Sequence, residues 1–100
     1  MIVKIHKATR YVVAVCDEDL VGKKFFDEDN VRQIDMTSQF FKGELKNEDE
    51  TIELMADMKK EDAIFNIVGE KSTAVALKAK IISEEGITKI AGIPIALALL

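Results

Sequence analysis

Tyr11-Val12-Val13-Ala14-Val15-Cys16 decides the fold. Its six residues read as apolar on both faces of an extended chain and include three valines. That is the composition of a strand in the interior of a sheet, not at its rim. Just upstream, in Ile2 to Lys7, Val3 and Ile5 alternate with Lys4 and His6, the pattern of a half-buried strand. The short link Ala8-Thr9-Arg10 predicts that the two segments form a β-hairpin.

The hairpin register bears on chemistry, because His6 and Cys16 are the only histidine and cysteine in the chain. A Cys–His pair is the obvious nucleophile and base. With a three-residue turn, position 7 faces position 11 and His6 faces Val12. Cys16 then lies four positions further along, roughly 13 Å at about 3.3 Å per residue. With a two-residue turn the two side chains point to opposite faces. Neither register makes a dyad. Cys16 reads as a small core residue and His6 as an exposed or rim strand residue.

Working outward, Asp17 can cap a helical turn that Gly22 ends. Phe25-Phe26 is expected to return to the core. Asp27-Glu28-Asp29-Asn30 reads as a turn, and Val31 to Met36 as a short strand. Asn47 and Glu50 have capping-box spacing. Ile52, Met55 and Met58, flanked by Leu54, give an apolar helical face over about residues 48–60. Ala63 to Val68 is strand-like, and Gly69 breaks it. Lys71 or Ser72 opens a second helix, with Ala74, Leu77 and Ile81 on one stripe and Val75 and Ile82 beside it. Gly86 ends that region, and Ile87 to Leu100 is mostly apolar. The order β-β-(turn)-β-α-β-α-β predicts an α+β two-layer sandwich, with the hairpin in a mixed sheet and two main helices on one face. The expected organisation is one domain over residues 1–100.

Composition narrows the function classes. The chain is 48% hydrophobic and 32% charged, with a net charge of -4, which suits a globular core. Residues 1–50 carry 8 basic and 11 acidic side chains, and residues 51–100 carry 6 and 7, with no polybasic run. Sequence-independent duplex DNA binding needs a Lys/Arg footprint that is absent here. A lone cysteine excludes an intrachain disulfide and a cysteine-built zinc site, and one free thiol points to the cytosol. The apolar stretch Ala91–Leu100 is too short for a membrane span of about 20 residues.

Gly69-Glu70-Lys71-Ser72-Thr73 sits between a strand and a helix, like a phosphate loop. A P-loop needs Gly and Lys adjacent and a further Gly five positions earlier, where this chain has Ile64. What remains is either an anion-holding helix start or a tight turn with Ser72 as cap. The acidic runs 17–19 and 27–30 fail the calcium-loop pattern, which a loop starting at Asp27 would break at Val31 and Arg32. They read as solvated turns that can also face a basic partner. Gly92-Ile93-Pro94 predicts an edge strand, a bulge or a turn. Ile95 to Leu100 is either core or an interface, the latter offering a homodimer contact. No metal or cofactor is implied.

The run from Val13 to Phe25, VAVCDEDLVGKKF, resembles the opening signature of a family of small archaeal proteins, domain of unknown function 424. Asn66-Ile67-Val68-Gly69-Glu70-Lys71 and Ile90-Ala91-Gly92-Ile93-Pro94 are similar to two later signatures of that family. The resemblance covers nearly the whole chain. It implies an archaeal cytosolic protein with a two-layer α+β fold and no established activity. The family pattern places a histidine after the proline, where this chain has Ile95. The expected binding surface draws on Asp17, Glu18, Gly22, Lys23, Asn66, Gly69, Glu70, Lys71, Gly92 and Pro94. The expected role is a non-catalytic module that docks on a protein or ribonucleoprotein partner. The alternative is a small enzyme or ligand-binding protein, with a composite site made where segments 17–23 and 66–71 meet.

Overall fold

The computed structural model describes residues 1–99. Strands β1 (Ile2–Lys7) and β2 (Tyr11–Cys16) pair antiparallel, with Lys7 opposite Tyr11 and His6 opposite Val12. This is the register of the three-residue turn, and it puts Cys16 opposite Ile2, at the far end of the hairpin from His6. A 3-10 turn at Glu18–Leu20 leads into a separate antiparallel ribbon, β3 (Lys24–Phe26) and β4 (Gln33–Asp35). A second 3-10 turn at Gln39–Phe41 precedes β5 (Glu44–Leu45) and helix α1 (Glu48–Lys60). Strand β6 (Ile64–Val68), helix α2 (Glu70–Lys78), a third 3-10 turn at Glu84–Gly86 and the hairpin β7 (Ile87–Ile90) and β8 (Ile93–Leu99) complete the order.

The main sheet runs β5-β1-β2-β6-β8-β7, with β2 and β6 parallel and every other neighbouring pair antiparallel. The all-apolar β2 is interior, as its composition predicts. Successive residues of a strand face opposite sides, so each interior strand feeds two clusters. Val13, Val15, Phe65, Ile67 and Ala98 pack with Met55, Val75 and Ala76 of the helices. Cys16, Val68 and Ile95 face the other way, toward Ile34, Met36, Phe25 and Phe41. Both helices therefore cover one face, giving the two-layer α+β sandwich. The ribbon and the Gln39–Phe41 turn cover part of the opposite face.

Helix α1 begins on the expected capping box. The Glu50 N–H donates to Asn47 Oδ1 at 2.8 Å, and the Asn47 N–H donates to Glu50 Oε1 at 3.0 Å. Met55 is fully buried, and Ile52, Leu54 and Met58 pack around it. Helix α2 departs from the expected stripe. Ser72, Thr73, Val75 and Ala76 are buried, whereas Ala74 is exposed. The helix ends at Lys78, and Lys80 takes φ +60°, so Ile81 and Ile82 lie beyond the helix. One further expectation is corrected, and that for Gly92-Ile93-Pro94 holds at the Gly92 turn but not for Pro94. Only Phe25 of the aromatic pair turns inward; Phe26 is 51% exposed because it alternates to the outer side of the ribbon. Pro94 lies in interior strand β8, two residues after a turn at Ala91-Gly92. Its carbonyl accepts the Gly69 N–H at 2.8 Å, and β6 pairs with β8 only from Ile95 onward. A proline is tolerated near the start of a strand, where the ladder asks least of its missing N–H.

The C-terminal run divides by alternation. Ala96 and Ala98 are buried, whereas Leu97 and Leu99 are 58% and 67% exposed on the face away from the helices. Leu100, the last residue of the apolar tail, lies outside the described residues.

Candidate functional site

The start of α2 brings three of the sequence signatures together. Asp17 follows strand β2 and is buried. Its backbone N–H donates to Val68 O at 3.1 Å, which continues the parallel pairing of β2 and β6 by one residue. The carboxylate thereby reaches the first turn of α2. Oδ2 accepts the Lys71 N–H at 3.1 Å, and Oδ1 accepts the Ser72 N–H and the Ser72 hydroxyl, each at 2.8 Å. The first N–H groups of a helix have no partner within it and carry partial positive charge. Here an acid from another strand satisfies them, in place of the local Ser72 cap that the sequence predicts.

Gly69 makes that approach possible. Its φ of +115° and ψ of 158° fall where only glycine is at ease. A Cβ at this position would lie 2.3 Å from Asp17 Cγ. The anion-holding helix start is thus real, and the chain's own carboxylate fills it.

Other signature residues also serve connections. Gly22, at φ +84°, donates its N–H to Met36 O at 2.9 Å, and the Met36 N–H donates to Lys23 O at 2.8 Å. These bonds tie the 17–23 segment to the end of β4. Gly92, at φ +75°, forms the β7–β8 turn with Ala91. Asp27 lies half-buried, paired with Arg32 at 2.9 Å, and accepts the Ala91 N–H. It clamps the ribbon to the β7–β8 turn and is not a freely solvated turn acid. The side chains of Glu18, Lys23, Glu70 and Lys71 are exposed and make no hydrogen bond or ion pair among the described residues.

His6 and Cys16 stay apart, as their register requires. His6 is half-buried, stacked on Phe40 with ring centroids 4.6 Å apart, and its Nε2 lies 2.8 Å from Phe40 O. Cys16 is fully buried. Burial, and then the Asp17 carboxylate beside it, push its thiol pKa up from 9.0 to about 11, so it is no nucleophile at neutral pH. Among the described residues no three His, Cys, Asp or Glu side chains gather as a metal-binding group. Among the same residues no helix is long and apolar enough to cross a membrane.

Asn66 stands in a different setting. It sits mid-strand in β6, between Ala14 of β2 and Leu97 of β8, on the face away from the helices. There it lines a groove of about 500 Å³. Gln33 to Met36 and Phe41 line one side, and Thr88 and Ile90 of β7 belong to the same sheet as Asn66, Val68, Ile95 and Leu97, which line the rest. The Asn66 carboxamide makes no hydrogen bond among the described residues. Asp35 is the charged member of the lining. The Thr37 hydroxyl and N–H both donate to it and, with the nearby Lys24, hold its carboxyl below the usual range. The volume and the mostly apolar lining fall within the range of ligand sites.

Of the expected surface, then, Asp17, Gly69, Lys71 and Pro94 meet at the start of α2, and Asn66 faces the groove. The lining residues Gln33, Asp35, Met36, Phe41, Thr88 and Leu97 are absent from the sequence-based set. One signal for them was available: a lone carboxamide within the otherwise apolar run Ile64–Val68.

The model of the family described as "Protein of unknown function (DUF424)" matches residues 6–99. The chain belongs to the DUF424 family. A crystal structure of an uncharacterized conserved protein from Methanopyrus kandleri has the same fold as this DUF424 chain. The TM-score is 0.83 at 22% identity, covering 96% of this chain and 87% of that one. No curated protein matches the sequence. In this DUF424 chain the glycines and Asp17 of the signatures have structural work at the junctions of the fold, whereas Asn66 is left facing open space.

Proposed function

We propose that this DUF424 chain is a non-catalytic cytosolic binding module, and that it docks on a protein partner through the groove around Asn66. One observation carries the reading: an apolar groove with a carboxamide on its floor that has no partner among the described residues. Leu97 in the lining and the neighbouring Leu99 extend its apolar surface. A protein suits the groove better than a ribonucleoprotein does, because its charged lining residue is an acid and a phosphate backbone would be repelled by it. The composite enzyme site has less support. Its buried acid, Asp17, has both carboxylate oxygens committed to α2.

The test is capture from nuclease-treated archaeal extract by the wild-type chain, by Leu97→Lys and by Asn66→Leu. Each is first checked for an unchanged circular dichroism spectrum. The expected result is a discrete protein partner that the wild type retains and both variants lose. Equal capture by all three, or a partner released by the nuclease, counts against the reading. So does conversion of Leu97→Lys from dimer to monomer with no other partner, which would make a second copy of the chain the occupant.

A further inference from the structure

The ribbon β3–β4 has an unusual position for two strands: it packs on the main sheet yet pairs with nothing else. Its hydrogen bonds reveal which way β4 faces. The Met36 N–H donates to Lys23 O at 2.8 Å, and Arg32 O accepts the Asp27 N–H at 3.0 Å. In an antiparallel pair the backbone groups of successive residues point alternately toward and away from the partner strand. Positions 32, 34 and 36 therefore face β3, and Gln33 and Asp35 turn their N–H and C=O groups outward. No backbone bond from Gln33 or Asp35 to another element is present among the described residues. The groove wall has the same origin. Four consecutive residues, Gln33 to Met36, line it, although their side chains alternate faces, as fits a groove running along the strand's edge. The groove is thus bounded by an unpaired strand edge, with the Asn66 carboxamide on its floor.

We propose that the groove holds an extended, largely apolar segment of a protein partner as a third strand along the free edge of β4, with Asn66 bonding one of its peptide groups. This rests on the reading of the groove as a protein-docking site and specifies how the partner is held. Outward groups at Gln33 and Asp35 supply main-chain bonds at alternate positions of the added strand, the usual source of affinity in strand addition. A carboxamide carries one acceptor and two donors and so matches both halves of a peptide group. Met36, Phe41, Val68, Ile95 and Leu97 favour apolar side chains at the inward positions. The Asp35 carboxylate favours a lysine or arginine flanking the apolar stretch. Its present partner, Lys24, lies 3.9 Å away in an exposed pair that is easily exchanged. A two-stranded ribbon is marginal alone, and a third strand completes it.

The probe is the labelled peptide acetyl-Lys-Val-Leu-Val-Ile-Lys-amide, titrated against the intact chain by fluorescence anisotropy. Two isomers carry N-methyl groups on alternate residues, one on both valines and the other on Leu and Ile. Strand pairing predicts an asymmetric outcome. One isomer binds about ten-fold or more weakly, because its methylated N–H groups face β4, and the other binds within about three-fold of the parent. Asn66→Ala weakens the parent peptide, and the Gln33 and Asp35 amides exchange more slowly when it is bound.

If both isomers bind like the parent and Leu97→Lys abolishes binding of all three, the groove docks a protein segment but not as a strand. That result overturns this inference and leaves the docking reading intact. Failure of the parent peptide to bind at millimolar concentration also overturns it, and the extract experiment then judges the docking reading alone.

Discussion

The start of α2 and the groove beside β4 are made from similar parts: backbone N–H groups left over at the end or edge of an element, and one polar side chain brought to them by a neighbouring strand. At α2 every part is matched. The Asp17 carboxylate takes two N–H groups and the buried Ser72 hydroxyl, and Gly69 clears the space for it. In the groove the Asp35 carboxylate has its Thr37 and Lys24 partners, but the strand edge and the amide on the floor have none among the described residues. The outward groups of Gln33 and Asp35 and the Asn66 carboxamide face an opening of about 500 Å³. A residue whose partners are internal stabilises the fold, and its loss is felt in folding. A residue with no internal partner costs the fold little to lose, and its loss is felt in binding. The difference is measurable by substitution.

The largest effect is expected at Gly69. Gly69→Ala combines a disfavoured backbone conformation with a Cβ driven into the Asp17 carboxylate. It should cost more than about 3 kcal/mol in urea unfolding, in the range reserved for strained or overpacked sites. A nearly neutral result would mean that Asp17 swings away freely and that the junction is looser than its hydrogen bonds imply.

Asp17→Ala comes next. It strands the buried Ser72 hydroxyl and N–H and the part-buried Lys71 N–H, for a loss of about 2 kcal/mol. Asp17→Asn keeps one acceptor and should lose roughly half as much. Hydrogen exchange at the Lys71 and Ser72 amides should quicken in both variants. Unchanged exchange would break the assignment of Asp17 as the cap.

Cys16 gives a pH-dependent version of the same contrast. Its folded-state pKa of about 11 lies above its ordinary 9.0, chiefly through burial and then through Asp17. The protonated thiol is favoured in the folded chain, so its contribution is complete below pH 9 and is lost as pH rises from 9 toward 11. Wild type should therefore lose stability relative to Cys16→Ala over that window in urea titrations at pH 8, 9.5 and 11. Parallel curves would show that the thiolate is tolerated in place.

How much of this the sequence foretells depends on range. The hairpin and its register follow from residues 2–16 because pairing partners lie within a few positions of the turn. The capping box of α1 spans four residues and reads directly. Asp17 stands before the Glu18–Leu20 turn, as the sequence predicts, but its side chain does not cap that turn; its partners, Lys71 and Ser72, are 54 and 55 positions away, and no local pattern links them. The α2 stripe differs for a related reason: the helix ends at Lys78, before Ile81, and the face that meets the sheet core carries Val75 and Ala76 rather than Ala74. Gln33 and Asp35 were invisible because an unpaired edge exists only relative to the strand that pairs the other side. Asn66 was legible as an oddity, a lone amide in an apolar strand, though not as the floor of a groove.

Asn66 is where the comparison meets its finest test, because the expected effect on folding is close to nothing. Asn66→Ala should change unfolding free energy by less than about 0.5 kcal/mol, as for sites with no buried partner to strand. Asn66→Leu should be neutral or slightly stabilising, because an amide with no internal bond gives way to an apolar group among Val68, Ile95 and Leu97. Both variants should nevertheless lose partner binding. A destabilisation above about 1 kcal/mol in either would mean that the carboxamide supports the sheet. The groove would then resemble the start of α2, with its polar group already in use, and its claim as the binding surface would pass to the apolar pair Leu97 and Leu99 alone.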